Sequence, residues 1–283
     1  MFKRRKLLRT PRRQEFARRS IYILPNLFTA ASLFGGFFAI IMAVEGRFFY
    51  ACLAILASFV CDGLDGKVAR ATNTVSRFGV EFDSLADLVA FGVAPSIMVY
   101  FWGLQSFGRL GWLAGFMFVA CGAMRLARFN VQVDRVGTSH FVGLPIPAAA
   151  CVITSTILVA DYFKYTPPEN FVPAIVIVFI LSFLMVSSIP YLSLKEMRLR
   201  RLKSFNASIS ILAVIVLAVI WPQIVFFALI YLYALLGPVG ARIILRKKNK
   251  LLHEAAAPSG ELAPDAASSV SEDDGKTGGA ISA

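Results

Sequence analysis

Four aspartates lie close together in an otherwise apolar stretch of the sequence. They are Asp62, Asp65, Asp83 and Asp87. Outside this window, residues 20–246 contain only two further aspartates. A carboxylate at membrane depth costs about 2.5–3.5 kcal/mol on insertion scales, and neighbouring carboxylates repel one another unless positive charge lies among them. The clustering therefore predicts a site that gathers cations.

The spacing of the aspartates favours two helix ends that face one point. Asp62 and Asp65 are three residues apart, and Asp83 and Asp87 are four apart, so each pair lies on one face of a helix. Carboxylate ligands without His or Cys suit Mg²⁺ or Mn²⁺ rather than zinc. Four carboxylates can hold two ions, or one ion beside a working base. A solvated acidic loop is the alternative, and the helical spacing counts against it.

Glycines and an arginine are interleaved with these aspartates. Gly63, Gly66 and Gly79 carry no side chain, which lets a bulky anion approach the backbone. Arg70 follows Gly66 by one helical turn and can hold a phosphate through two parallel hydrogen bonds. Metal ligands, glycines and an arginine together predict a site for a diphosphate.

The composition is that of an integral membrane protein. Hydrophobic residues make up 57% of the 283 residues, charged residues only 16%, and the mean hydropathy is +0.68. A soluble domain would have roughly 25% charged residues. The net charge of +12 is concentrated at the N-terminus, where nine of the 29 Lys and Arg precede Ser20. That placement indicates contact with anionic headgroups rather than nucleic acid.

The apolar runs predict an all-α protein with about eight transmembrane helices. They cover approximately residues 21–44, 48–68, 78–102, 110–130, 144–163, 170–193, 207–221 and 223–246. With both termini cytoplasmic, most basic loop residues fall on the cytoplasmic side, as the positive-inside rule requires. We therefore expect a basic segment at 1–19, a transmembrane catalytic domain at 20–250 and a disordered cytoplasmic tail at 251–283.

The residues from Asp62 to Asp87 spell D-G-x-x-D-G-x-x-A-R-x8-G-x-x-x-D-x-x-x-D. This pattern resembles the signature of the CDP-alcohol phosphatidyltransferase family, whose members displace CMP from a CDP-linked lipid with an alcohol. The resemblance implies that the four aspartates bind the metal ions and that Asp87 accepts the proton of the alcohol. It also implies that Gly66, Arg70 and Ser76 contact the CDP-lipid. Because Gly63 has no side chain, we count it among the CDP-lipid contacts as well.

Further segments extend the resemblance over most of the first 150 residues. Residues 21–40, 82–96, 122–130 and 143–150 look like the family's membrane-embedded bacterial phosphatidylserine synthases, whereas residues 160–250 add little. The resemblance implies CDP-diacylglycerol and L-serine as substrates, Mg²⁺ or Mn²⁺ as cofactor, a homodimer, and a location in the bacterial inner membrane with the site facing the cytoplasm. Membrane phospholipids would surround the protein.

Serine recognition calls for a cation that binds its carboxylate. Arg125 and Arg128 lie at the expected cytoplasmic end of the fourth span and are the candidates, although both can instead anchor the helix to headgroups. Asn26, beside Pro25 in the first span, either lines the pocket or caps a helix kink.

Two alternatives to serine transfer remain open from the sequence. The same chemistry can use another acceptor, such as glycerol 3-phosphate, an inositol phosphate or choline. The second alternative is a divalent-cation transporter, for which acids spread across the bilayer depth would be expected rather than a cluster at one side.

Overall fold

The computed structural model describes residues 11–72, 76–135, 141–191 and 205–237. Its helices are α1 (Pro11–Val44), α2 (Phe48–Ala71), α3 (Arg77–Asp87), α4 (Ala94–Val99), α5 (Arg109–Arg135), α6 (Ile146–Tyr162), α7 (Val172–Val186), α8 (Phe205–Ile220) and α9 (Pro222–Gly237). Two short strands of two residues each, β1 (Phe141–Val142) and β2 (Pro190–Tyr191), form an antiparallel pair. This pair connects the segment before α6 with the segment after α7. The predicted all-α fold is confirmed.

The helices follow the apolar runs of the sequence closely. The second run, predicted at 48–68, forms Phe48–Ala71, and the fourth, predicted at 110–130, forms Arg109–Arg135. The first helix begins at Pro11, well before the apolar run. The break at Trp221 also appears where it was expected, since α8 ends at Ile220 and α9 begins at Pro222.

Four helical segments of the described chain are long and apolar enough to cross a bilayer. They are Pro25–Val44, Phe48–Ala71, Arg77–Phe107 and Arg109–Val131. Helices α6, α7 and α9 are apolar but shorter. These segments make the chain a membrane protein. The full count of eight crossings, the side on which the termini lie, and the predicted tail at 251–283, which is outside the described residues, stay predictions.

The third segment is one continuous helical path with two wider turns. A π-helical turn, Leu88–Val93, directly follows Asp87 and leads into α4, and a second one, Tyr100–Leu104, follows α4. Insertions of this kind rotate the side chains on either side of them relative to a regular α-helix, and they are frequent at functional sites. The first π turn thus changes the direction of the α3 side chains relative to those of α4.

Close packing against α1 fixes the position of this π turn. Gly36 of α1 lies against the backbone of Ala90, and a Cβ atom at position 36 would fall 2.6 Å from the Ala90 Cα. Small residues at helix contacts are the usual way in which membrane helices approach closely. Glycine at position 36 therefore holds the π turn, and with it the end of α3, tightly against α1.

The core of the described chain lies around α6, whose buried residues include Ile146, Ile153 and Ile157. Helix α9 is fastened to it, since the hydroxyls of Thr156 and Tyr231 are 2.7 Å apart. At the start of α6, Gly143 adopts φ +83° and packs against the backbone carbonyl of Met185, a conformation and a closeness that exclude a side chain. The predicted site residues lie on or beside other helices, namely α1, α2, α3 and α5.

Candidate active site

The ends of α2 and α3 bring the aspartates together. Carboxylate oxygens of Asp62, Asp83 and Asp87 all lie within 4.8 Å of one another. Asp62 lies in the last three turns of α2, and Asp83 and Asp87 share one face of α3 because they are four residues apart. The helix between Arg77 and Asp87 is short and strongly amphipathic, so its polar face is presented to α2.

Asp65 completes the group from one turn further along α2. Its carboxyl lies within hydrogen-bonding range of Asp83, just as that of Asp62 lies within range of Asp87. Asp65 is also the most buried of the four, and its Oδ2 accepts a hydrogen bond of 2.9 Å from the Thr29 hydroxyl of α1. The four carboxyls therefore form two facing pairs across the α2–α3 contact.

The residues present fit a divalent metal. The donors are carboxylate oxygens from three side chains within 4.8 Å, a hard all-oxygen set of the kind that Mg²⁺ and Mn²⁺ prefer. Carboxylates held this close repel one another unless a cation neutralises them. A metal bound by Asp62, Asp83 and Asp87, with Asp65 adjacent, would supply that charge.

A cavity of about 190 Å³ with polar and charged side chains in its wall opens beside the aspartates. Three helices line it: α1, the end of α2 and the start of α3. The lining residues are Pro25, Asn26, Thr29, Asp65, Gly66, Ala69, Arg70, Ser76, Gly79, Val80 and Asp83. Gly66, Arg70 and Ser76, the predicted contacts of the CDP-lipid, thus share one cavity, and Asn26 lines it too.

Gly63 does not belong to this cavity lining. It is exposed, and a Cβ atom added there would meet nothing within 4 Å. Gly66 differs, because a Cβ atom there would lie 3.5 Å from Nη1 of Arg70. The guanidinium of Arg70 therefore lies over Gly66, one turn back along α2, at the rim of the cavity. The absence of a side chain at position 66 leaves room for this arrangement, whereas position 63 shows no such constraint.

Ser76 and Gly79 shape the other wall of the cavity. The Gly79 backbone N–H donates to the Ser76 hydroxyl oxygen over 3.0 Å, so Ser76 caps the N-terminus of α3. A Cβ atom at Gly79 would lie 3.1 Å from that hydroxyl oxygen and 3.4 Å from Oδ1 of Asn26. Glycine at position 79 thus keeps α3 close to the start of α1.

The two candidate serine-binding arginines have different surroundings. Arg125 of α5 is partly buried, has Asp87 and Tyr233 as electrostatic neighbours, and lies 5.4 Å from the ring centre of Phe129. Arg128 is exposed and donates a 3.4 Å hydrogen bond to the backbone carbonyl of Val186 on α7. Only Arg125 faces the aspartate group. Nearby, Asn130 donates to the Ser84 hydroxyl over 2.9 Å and so ties α5 to α3.

Two residues at this site were not identified from the sequence. Thr29 reaches Asp65 from α1, and Tyr233 reaches Arg125 from α9, a helix that sequence analysis treated as generic. Neither belongs to the aspartate signature, and a lone Thr or Tyr in an apolar helix has no distinctive spacing. The small residues that follow Thr29 on one face of α1, such as Ser32 and Gly36, were the available sign that this face packs closely.

Comparison with known proteins now decides the family. The sequence model of the CDP-alcohol phosphatidyltransferase family matches residues 22–186, which contain the four aspartates, the cavity and Arg125. The chain belongs to this family. The matched region runs beyond the first 150 residues and includes α6 and α7, so the resemblance extends further than the motifs alone indicated.

Several relatives of the chain have named activities. A CDP-diacylglycerol–serine O-phosphatidyltransferase of Helicobacter pylori strain J99 is 39% identical over 236 residues, which cover 81% of this chain and 97% of that protein. An archaetidylserine synthase of Methanothermobacter thermautotrophicus is 37% identical over 174 residues, covering 61% of this chain and 70% of that protein. A CDP-diacylglycerol–serine O-phosphatidyltransferase of Mycobacterium leprae is 42% identical over 137 residues, 46% of this chain and 45% of that protein.

Proposed function

We propose that this protein is a phosphatidylserine synthase, which transfers the phosphatidyl group of CDP-diacylglycerol to L-serine and releases CMP. The observation that carries the proposal is the 39% identity to the Helicobacter pylori serine transferase over nearly the whole of that relative. The site adds chemical support, because it combines a carboxylate cluster with two flanking arginines, Arg70 and Arg125.

The position of the site suits a reaction between a lipid and a water-soluble alcohol. The aspartates lie in the C-terminal parts of α2 and α3, two helices that are joined by a short connection. The acyl chains of a CDP-lipid can remain in hydrocarbon while its diphosphate enters the cavity beside the aspartates, and serine arrives from the aqueous side. We infer that this side is the cytoplasm, since the basic residues of the sequence gather on it.

The four aspartates have distinct proposed tasks. Asp62, Asp65, Asp83 and Asp87 would hold Mg²⁺ or Mn²⁺, in our proposal two ions, which when bound would neutralise the diphosphate and the departing phosphate. Asp87 accepts the proton of the serine hydroxyl as its oxygen attacks the β-phosphate, and the bond between that phosphorus and CMP breaks. A metal-bound carboxylate is a weak base, so positioning of the two substrates contributes much of the rate.

Arg70 is proposed to bind the diphosphate of the CDP-lipid. Its guanidinium is at the cavity rim, above a glycine that leaves the approach open, and a planar guanidinium forms two parallel hydrogen bonds with a phosphate. Ser76 and Gly66 line the same cavity and complete this contact. Gly63 lies outside this cavity lining, and its contact with the CDP-lipid stays a prediction.

Arg70→Lys should raise the Michaelis constant for CDP-diacylglycerol by about tenfold even though the charge is kept, because an ammonium lacks the planar fork of a guanidinium. Steady-state CMP release at fixed L-serine measures this, and Lys67→Arg on the same helix is the matched control. An unchanged Michaelis constant and rate for Arg70→Lys would show that Arg70 acts only as a surface charge.

The acceptor alcohol is best tested with a panel. Purified protein in detergent, given CDP-diacylglycerol and Mn²⁺, should release CMP with L-serine and far more slowly with glycerol 3-phosphate, an inositol phosphate or choline. A preference for any of these three would replace serine in our proposal and keep the chemistry. Uptake of Mn²⁺ by proteoliposomes without CDP-lipid would instead support the transporter alternative. The clustering of the aspartates in one place argues against a transporter.

We further propose the arrangement of the protein in its membrane. The chain crosses the bacterial inner membrane eight times, with both termini in the cytoplasm, a basic segment at 1–19, the catalytic domain at 20–250 and a cytoplasmic tail at 251–283. The excess of Lys and Arg in alternate loops supports this orientation. As in the family it belongs to, we expect the functional unit to be a homodimer.

A further inference from the structure

Thr29 makes an unusual contact for a residue of the first membrane helix. Its hydroxyl lies 2.9 Å from Oδ2 of Asp65 and 3.3 Å from the backbone carbonyl oxygen of Pro25. A hydroxyl donates one hydrogen, and a carboxylate is the stronger and, here, the closer acceptor. Thr29 is 4% exposed and Asp65 is 5% exposed, so both partners of this hydrogen bond are buried.

The helix that carries Thr29 is firmly held against α2. One turn further along α1, the backbone carbonyl of Ser32 accepts a 2.9 Å hydrogen bond from the Ser58 hydroxyl of α2. Gly36 of the same α1 face packs on Ala90. Thr29 therefore contacts Asp65 from a helix that is closely packed against its neighbours. Of the three α1 residues Thr29, Ser32 and Gly36, it is Thr29 that contacts a charged group.

The contact restricts one carboxylate of the cluster. Asp65 lies within hydrogen-bonding range of Asp83, and the Thr29 hydroxyl binds its Oδ2. Outer partners of metal-binding side chains fix the direction of the ligand, and their loss typically reduces metal affinity. A valine at position 29 would fill the same volume but donate no hydrogen bond, which removes the contact that holds Asp65 Oδ2 from α1.

We propose that Thr29 is a positioning residue of the metal site, which holds the Asp65 carboxylate in the orientation that divalent-cation binding requires. This inference rests on the metal site of the proposed function, but it concerns cation affinity and is independent of which alcohol is the acceptor. The alternative is that the hydrogen bond merely joins α1 to α2, as Ser58 does.

The test compares Thr29→Val, Thr29→Ser and Ser58→Ala in the purified full-length protein. Mn²⁺ binding is titrated by electron paramagnetic resonance without lipid or serine, and thermal unfolding is followed in parallel. We expect Thr29→Val to weaken Mn²⁺ binding by about 10–100-fold, and Thr29→Ser, which keeps the hydroxyl, to bind within about twofold of the parent. Ser58→Ala, which removes the neighbouring α1–α2 hydrogen bond, should lower thermal stability and leave Mn²⁺ affinity unchanged.

The outcomes separate this inference from the proposed activity. Equal Mn²⁺ affinity in Thr29→Val and the parent would overturn it, and so would an equal loss in Ser58→Ala or an absence of Mn²⁺ binding by the parent. If Thr29→Val does not fold, Thr29→Ala replaces it, with the same expected loss. If the parent binds Mn²⁺ and Thr29→Val does not, the inference stands even where neither protein transfers a phosphatidyl group to serine.

Discussion

Asp87→Asn should reduce turnover by about 10²–10⁴-fold while the protein still folds in detergent and binds CDP-diacylglycerol. Asparagine keeps the shape of the side chain but cannot accept the serine proton, and it removes one negative charge from the carboxylate cluster. Asp87 lies with Asp62 and Asp83 within 4.8 Å, so its replacement acts directly on the carboxylate cluster. CMP release at saturating L-serine and Mn²⁺ measures the loss.

The control for this prediction is Glu81→Gln. Glu81 is exposed on the same helix and lies outside both the carboxylate cluster and the cavity lining, so its replacement removes one charge from α3 without touching the site. We expect its turnover to match the parent. Near-parental turnover of Asp87→Asn at saturating Mn²⁺ would contradict the role assigned to Asp87.

Arg125→Ala should largely remove the preference of the enzyme for L-serine over serinamide. A charge-assisted hydrogen bond to a carboxylate contributes about 1.5–3 kcal/mol, which corresponds to roughly tenfold to hundredfold in apparent serine affinity. Arg125 is partly buried and has Asp87 as an electrostatic neighbour, so a carboxylate bound to it would place the serine hydroxyl near the proposed base. Binding of CDP-diacylglycerol should be unchanged.

Arg128→Ala is the matched control, because Arg128 lies on the same helix but binds the Val186 carbonyl. It should discriminate between serine and serinamide as the parent does. The Michaelis constants for serine and serinamide, measured in the parent, Arg125→Ala and Arg128→Ala, distinguish these outcomes. If Arg125→Ala still prefers serine and Arg128→Ala does not, the assignment is reversed; if both discriminate like the parent, both arginines are anchors and the carboxylate site lies elsewhere.

The convergence of the aspartates was predictable from the sequence because it depends on local geometry. Intervals of three and four residues place Asp62 with Asp65, and Asp83 with Asp87, on single helix faces whatever the remainder of the fold. A short connection between α2 and α3 then brings the two faces together. The helix bounds were predictable for a similar reason, since apolar runs must span the hydrocarbon and end at polar or breaking residues such as Trp221–Pro222.

The contacts between distant helices could not be predicted in this way. Whether Arg125 or Arg128 faces the aspartates depends on the rotation of α5 against α3, which the Asn130–Ser84 hydrogen bond and the packing of α7 determine. Thr29 reaches Asp65 only because small residues allow α1 to approach α2 closely. The position of Tyr233 near Arg125 depends on how α9 packs on α6, to which Tyr231 is hydrogen-bonded.

The three glycines of the aspartate window have different surroundings in the structure. A glycine in a signature suggests close approach of a ligand, but on a helix only part of the surface faces the cavity. Gly66 and Gly79 line it, and Gly63, three residues before Gly66, is exposed with open space around it. The role of a glycine therefore follows from what a Cβ atom would meet there.

The most direct test of the whole account is transfer of isotopically labelled L-serine by the purified protein. With CDP-diacylglycerol and Mn²⁺, labelled phosphatidylserine and CMP should appear in equal amounts, and chelation of the metal should stop both. Asp87→Asn, assayed in parallel, should form labelled phosphatidylserine and CMP far more slowly than the parent does. CMP release without labelled lipid, or equal transfer after complete metal removal, would contradict the account.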